Sequence, residues 1–365
     1  MLDNTLCKLG RVTTTELRPF RAGTLLAVTA GVAFGVTAPL TQRFGRGVGP
    51  FTTAALLYLG AGAASIARRA ENEAAVRSRH LGRIVLAATA GAFVAPVCLA
   101  FGLQRATGTA ASLMLNVEAV FTVLLAAALL HEHVGHRALL ATAAMVAGGM
   151  VLVAGTGLGG TASATGLAAI AFATLCWAVD NVVLRPLAEL DSARVVLWKA
   201  AFGVALSLGA AILWGESRPA GTSAVALVAC GATGYGLSLR LYLQAQRRIG
   251  AGRTGSLFSL APFVGAVVAF FLGQGTLGSS TLPAAALFAL GAYLHATERH
   301  AHRHTHEPIE HEHAHRHDDA HHDHVHEPAV MGEHSHLHRH GPMTHEHAHA
   351  PDVHHAHTHR SRKQT

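Results

Sequence analysis

The chain has 365 residues, of which 50% are hydrophobic and only 13% charged, with 38 glycines. A soluble chain of this length is expected to hold two or three domains with charged surfaces, whereas so apolar and Gly-rich a composition suits membrane helices that pack on small residues. The formal net charge of +7 is segregated: from His300 onward 6 Lys+Arg stand against 10 Asp+Glu, so the basic excess lies between apolar runs and reads as membrane topology, not nucleic-acid binding.

The N-terminal segment, residues 1–22, carries Lys8, Arg11, Arg18 and Arg21 but no short apolar core with a cleavage site, so no cleaved signal peptide is expected. Ten apolar runs follow, at 23–42, 50–67, 82–102, 108–130, 137–155, 165–185, 194–214, 222–243, 254–273 and 279–296. Each approaches the roughly 20 residues that a helix needs to cross a hydrocarbon core of about 30 Å, and none shows the period-2 alternation of a barrel strand. The four cysteines, Cys7, Cys98, Cys176 and Cys230, are widely spaced and suggest neither a disulfide framework nor a CxxC metal site. With the N-terminus inside, fifteen Lys/Arg fall in inside loops and four (Arg43, Arg46, Arg105, Arg218) in outside loops. Both termini are therefore expected in the cytoplasm and the chain in the cytoplasmic membrane.

The fourth run, Ser112–Glu132 (SLMLNVEAVFTVLLAAALLHE), has a partner 143 positions downstream in Gly255–Gly275 (GSLFSLAPFVGAVVAFFLGQG). The same offset sets Phe34 in AGVAFGVTAPL on Trp177 in LCWAVDNVVL. A constant offset linking two pairs of apolar segments indicates a duplicated unit. The expected organisation is a first five-helix repeat at 23–155, a second at 163–297 and a tail at 298–365. Five crossings per repeat is odd, so the second repeat is expected inverted relative to the first. The fold class is thus an all-α membrane protein of ten helices in two inverted repeats.

These motifs resemble the drug/metabolite transporter superfamily, in particular the ten-helix EamA type. The resemblance rests on NVEAVF…LLHE and SLAPFV…FLGQG, and on the aromatic-plus-small motifs Ala33-Phe34-Gly35 and Cys176-Trp177-Ala178. It covers residues 23–297. Ala119 and His131 depart from the Pro and Gly usual in the first copy, and the second copy keeps Pro262 and Gly273 but lacks the terminal Glu. The resemblance implies a secondary transporter of a small solute.

A charge at the bilayer centre costs about 2.5–3.5 kcal/mol on insertion scales, so each one needs a partner or a role. Glu118, with Asn116 nearby, lies in the fourth run, Asp180 and Asn181 in the sixth, and Arg240 in the eighth. One reading makes these five a central substrate cavity, with a carboxylate exchanging a proton and Arg240 paired with it or with an anionic substrate group. The other makes Asp180 or Glu118 a structural partner of Arg240, or lets Arg240 snorkel. Phe34 and Trp177 could cap such a cavity or simply pack. Pro39, Pro96 and Pro262 interrupt helical hydrogen bonds, either exposing carbonyls to a substrate or shaping packing.

The HEHVGHR loop after the fourth run brings His131, His133 and His136 with Glu132, which could hold a divalent ion or be solvated interfacial residues. It is not an HExxH pattern. The tail holds 23 of the 28 histidines in H-x-H clusters, including His302, His304, His306, His311, His313, His315, His317, His334, His336, His338 and His340. With few large apolar residues it is expected to be disordered without ligand. Neutral imidazoles with neighbouring carboxylates suit zinc, nickel, cobalt or copper. The bland alternative is a solvated tail that gains charge as pH falls.

The function expected is secondary transport of a small solute, either a metal ion or chelate or an unrelated metabolite, with a metal-binding tail. The alternative is a membrane-anchored divalent-metal buffer or sensor without transport. No enzyme activity is expected, because the spans hold no convincing Ser/His or HExxH pair. No cofactor is required beyond divalent metal on the tail. The expected partners are the substrate, the membrane and a second copy in a homodimer, with no nucleic acid.

Overall fold

The structure, a computed structural model, describes residues 14–66, 75–130, 136–155, 164–187, 190–249, 251–275, 278–297, 300–306, 309–315, 334–340 and 343–349. From Thr14 to Ala296 its regular elements are helices. Six are long and apolar enough to cross a membrane: Ala22–Phe44, Ser78–Leu103, Gly108–Leu129, Ala164–Leu184, Ser192–Leu213 and Gly221–Gln246. Four shorter apolar helices, Pro50–Ile66, Leu139–Ala154, Ala261–Phe271 and Thr281–Leu294, occupy the remaining expected positions. Taken in chain order these are spans one to ten.

The two repeats are not side-by-side lobes. Span two packs on span seven, span five on span ten, and span four on span nine. Span one packs on span eight, and span six on span three, which is the same contact with the repeats exchanged. The core is built where these spans meet, around fully buried Leu57, Leu99, Leu113, Met145, Ile170, Leu227 and Phe288. Leu25, Ile66, Ile212, Val225, Phe271 and Tyr293 point outward, as helices sheathed by lipid require.

Several spans are interrupted, and the interruptions repeat. Span three makes a π turn at Ala88–Val94 and span eight one at Ala232–Leu237, matching at the repeat offset to within a residue. Pro96 removes an N–H just beyond the first, but Leu239 holds the corresponding place in the second, so proline is not what makes the turn. Span four breaks at Leu115-Asn116, between helices Gly108–Met114 and Val117–Leu130. Span nine breaks at Ser259-Leu260, between Ala251–Phe258 and Ala261–Phe271. Both breaks tighten to i→i+3 bonds: Glu118 N–H to Leu115 O (3.1 Å) and Phe263 N–H to Leu260 O (3.1 Å). Pro262 stands in the first turn of the second half of span nine, yet Ala119 occupies its place in span four.

Part of the tail falls within the described residues. Its described residues form strands β1 (His300–His306), β2 (Ile309–His315), β3 (His334–His340) and β4 (Met343–His349). β1 pairs antiparallel with β4, and β2 with β3. Composition measures only how much apolar area could offset ordering entropy. The H-x-H alternation has a period of two, which a strand can use and a hydropathy average does not register.

Candidate functional site

The π turn of span three leaves a carbonyl without a helical partner. Ala95 N–H, which in an α-helix would reach Gly91 O, donates instead to Ala90 O. The next donor along would come from Pro96, which has none. Gly91 O is satisfied from outside its helix: Tyr58 Oη of span two donates to it at 2.6 Å, and Trp177 Nε1 of span six at 3.1 Å. A buried carbonyl in a membrane is costly to leave unmade, so this carbonyl ties three spans together.

Gly91 also lets Asp180 of span six come close. A Cβ at position 91 would collide with the Asp180 carboxylate and with its own Cβ. Asp180 Oδ2 is ion-paired to Lys199 Nζ of span seven, and both residues are only 4% exposed. Two buried charges are tolerable when paired in this way. Asp180 Oδ1 has no hydrogen-bond partner. Sequence reasoning passed over Lys199, although the rule that singled out Asp180 applies equally to a lysine inside the apolar run VVLWKAAFG.

The neighbouring residue faces elsewhere, because successive helical positions are about 100° apart. Asn181 Nδ2 donates to Glu118 Oε1 of span four at 2.8 Å. Glu118 is half-buried and Asn181 exposed. Glu118 stands in the first turn of Val117–Leu130, placed there by the break at Leu115-Asn116. Buried Asn116 spends its amide locally, donating to Leu113 O at 3.0 Å.

Arg240, one expected partner of the carboxylates, pairs with neither: Asp180 pairs with Lys199 and Glu118 with Asn181. Arg240 Nη1 donates to Ala64 O of span two at 3.1 Å, and its Nε is buried without a partner. The pairing was undecidable in one dimension because it depends on how span eight is rotated about its axis. Phe34 and Trp177 do meet, with centroids 6.0 Å apart. Tyr235 from the π turn of span eight completes the cluster, at 5.9 Å from Phe34, 6.2 Å from Trp177 and 5.4 Å from Tyr58. Pro262 is buried in span nine, beside Ala261, whose carbonyl lies against Gly35.

A second polar group lies toward the Phe44 and Leu103 ends of spans one and three. Gln42 Nε2 donates to Leu103 O and Ala106 O, both at 2.7 Å, and Gln274 Nε2 to Pro39 O at 2.8 Å. A small pocket there is lined by Thr41, Gln42, Gly45, Thr53, Ala100, Leu103 and Gln104. Nearby, Glu216 caps the start of span two through Phe51 N–H (3.1 Å) and Thr52 N–H (2.7 Å).

Of the loop histidines, His136 is exposed at the start of the helix that carries span five, while His131 and His133 lie outside the described residues, as does His317. The remaining tail histidines singled out from sequence fall in β1, β2 and β3. Among the described residues no three His, Cys, Asp or Glu side chains gather as a metal site.

Comparison with known proteins bears on the family and the duplicated fold. The profile of the EamA-like transporter family matches twice, over residues 21–154 and 164–297. An uncharacterized transporter of Methanothermobacter thermautotrophicus is 26% identical over 272 residues, covering 68% of this chain and 79% of that one. A protein of known crystal structure shares the fold with a TM-score of 0.55 at 22% identity, covering 74% of this chain and 94% of its own.

Proposed function

Because the chain belongs to the EamA-like transporter family and is an integral membrane transporter, we propose that it is a secondary transporter of a small solute in which Glu118 is the exchangeable group. The observation that carries this reading is the contrast between two carboxylates on adjacent faces of one site. Asp180 is sealed against Lys199 and Gly91, whereas Glu118 is half-buried and held by a neutral amide. A neutral amide can be displaced by a substrate group or by a proton on the carboxylate at modest cost. Separating Asp180 from Lys199 would strand a buried charge. Asp180, Lys199, Tyr58 and Trp177 then hold the frame, and Glu118 with Asn181 does the exchange.

The substrate is a metal ion or metal chelate, or a metabolite unrelated to metal. The metal branch is motivated by the histidines of the tail and of the HEHVGHR loop, both expected on the cytoplasmic side. In this reading the tail binds zinc, nickel, cobalt or copper through imidazole nitrogens. Flux of radiolabelled nickel, cobalt and zinc in proteoliposomes tests it, comparing full-length protein with protein truncated after Glu298. Saturable flux that survives truncation and is lost in Glu118→Gln makes this a metal transporter with an accessory tail. No flux of any metal, with metal retained only by the full-length protein, assigns the substrate to the metabolite class. A phenotype that needs the tail but is indifferent to Glu118→Gln and Asp180→Asn would favour a membrane-anchored metal buffer instead.

A further inference from the structure

In β1 and β4 the antiparallel register sets His300 opposite His349, His302 opposite His347 and His304 opposite His345. In β2 and β3 it sets His311 opposite His338, His313 opposite His336 and His315 opposite His334. Both pairs obey one register: continued past His306, the alignment of β1 with β4 brings Ile309 opposite His340, which is where β2 and β3 pair. Between the histidines, Arg303 is opposite Glu346, Glu310 opposite Arg339, and Thr305 opposite Thr344.

Strand periodicity therefore gives each pair of strands a row with three opposed histidine pairs and a separate row that carries one opposite-charge pair. Opposite charges directly across a ladder favour a register, and a one-residue slip would put histidines opposite the alternate set. The tail is self-complementary in this sense. An undirected scatter of H-x-H clusters would not be.

Geometry then decides which imidazoles share a metal. Adjacent strands lie about 4.8 Å apart, whereas successive same-row positions of one strand are about 6.7 Å apart. Metal–nitrogen bonds of about 2.0–2.1 Å bring two ligand nitrogens of one ion close together. Opposed positions meet that demand with less backbone adjustment than i and i+2. Resting on the reading that the tail binds divalent metal, we propose that each ion is held between strands by opposed histidines, so that β1 with β4 and β2 with β3 act as an antiparallel metal-binding ribbon.

The test counts zinc retained by full-length protein in detergent. One variant replaces His300, His302 and His304 with Ala, a second replaces His345, His347 and His349, and a third combines both sets. Ribbon binding predicts that each single-strand variant loses the same number of zinc equivalents and that the combined variant loses no more. Losses that add between strands would overturn the ribbon, since each strand would then bind its own metal. Spin labels at Ala301→Cys and Ala348→Cys, with the four native cysteines replaced, give an independent readout. The zinc-loaded protein is expected to show strong dipolar coupling for that pair and weak coupling for Ala301→Cys with Ser335→Cys. Bound zinc with no coupling between positions 301 and 348 also overturns the ribbon. If full-length protein retains no more zinc than protein truncated after Glu298, the metal-binding reading itself fails.

Discussion

At Gly91 in span three and Gly234 in span eight the backbone makes the same π turn, and each glycine meets the same repeat position of the opposite half. Gly91 lies against Asp180, and Gly234 against Thr37, the residue 143 positions before Asp180. Beyond that the halves diverge. Thr37 returns its hydroxyl to Ala33 O of its own helix at 2.9 Å and needs no other partner. Asp180 needs Lys199, whose repeat counterpart is Leu56. Glu118 and Asn181 likewise correspond to Ala261 and Ala38. Duplication kept the bends, because they are backbone features that small residues support in both copies. The polar chemistry was concentrated at one of two equivalent positions, because each buried charge needs its own partner.

The largest expected effect on stability tests that asymmetry directly. Lys199→Met leaves Asp180 buried and alone, at a cost of about 3–5 kcal/mol. Yield and thermal stability in detergent should fall sharply, and Asp180→Asn combined with Lys199→Met should recover most of the loss. Leu56→Ala, the counterpart substitution, should cost less than Lys199→Met; if it costs as much, the ion pair is not what distinguishes the halves. Next, Gly91→Ala should cost about 1–3 kcal/mol by overpacking, since its Cβ meets an Asp180 held in place by Lys199. Gly234→Ala should cost less, because Thr37 is bound only to its own helix. Equal losses in thermal scans would contradict this ordering.

Tyr58→Phe removes one of two donors to Gly91 O and should cost about 0.5–1.5 kcal/mol, with Trp177 still in place. A combined Tyr58→Phe and Trp177→Phe variant should exceed the sum of the single losses, because only then is the carbonyl stranded. The smallest stability effects are expected for Glu118→Gln and Pro96→Ala. Glu118→Gln keeps an acceptor for Asn181 and should leave thermal stability near wild type while abolishing solute flux in proteoliposomes. Retained flux would remove Glu118 from the exchange role. Pro96→Ala should be nearly silent in both assays, since span eight makes its π turn with Leu239 at the equivalent place.

Much of the membrane architecture is legible in the sequence. The apolar runs correspond to the helices, and the constant offset to the doubled family match over residues 21–154 and 164–297. Asp180 and Glu118 stand out because a charge in an apolar run is anomalous wherever it occurs. Lys199 was anomalous in the same way and was overlooked. Tyr58 and Tyr235 carried no signal, since a tyrosine in an apolar helix looks like packing until a carbonyl is found beneath its hydroxyl. In the tail, averaged composition says nothing of the pairing between residues as far apart as His300 and His349.

The sequence by itself determined the helices, their duplication and the presence of membrane charges that required an answer. All three depend on hydropathy and spacing along one chain. The tertiary structure decided the answers: Lys199 and not Arg240 for Asp180, Asn181 for Glu118, and Tyr58 with Trp177 for the carbonyl that the π turn released. Those choices depend on the rotation of each helix about its axis, at about 100° per residue, and on which spans come close enough to touch. A linear pattern narrows those rotations to a face, and only packing selects the partner.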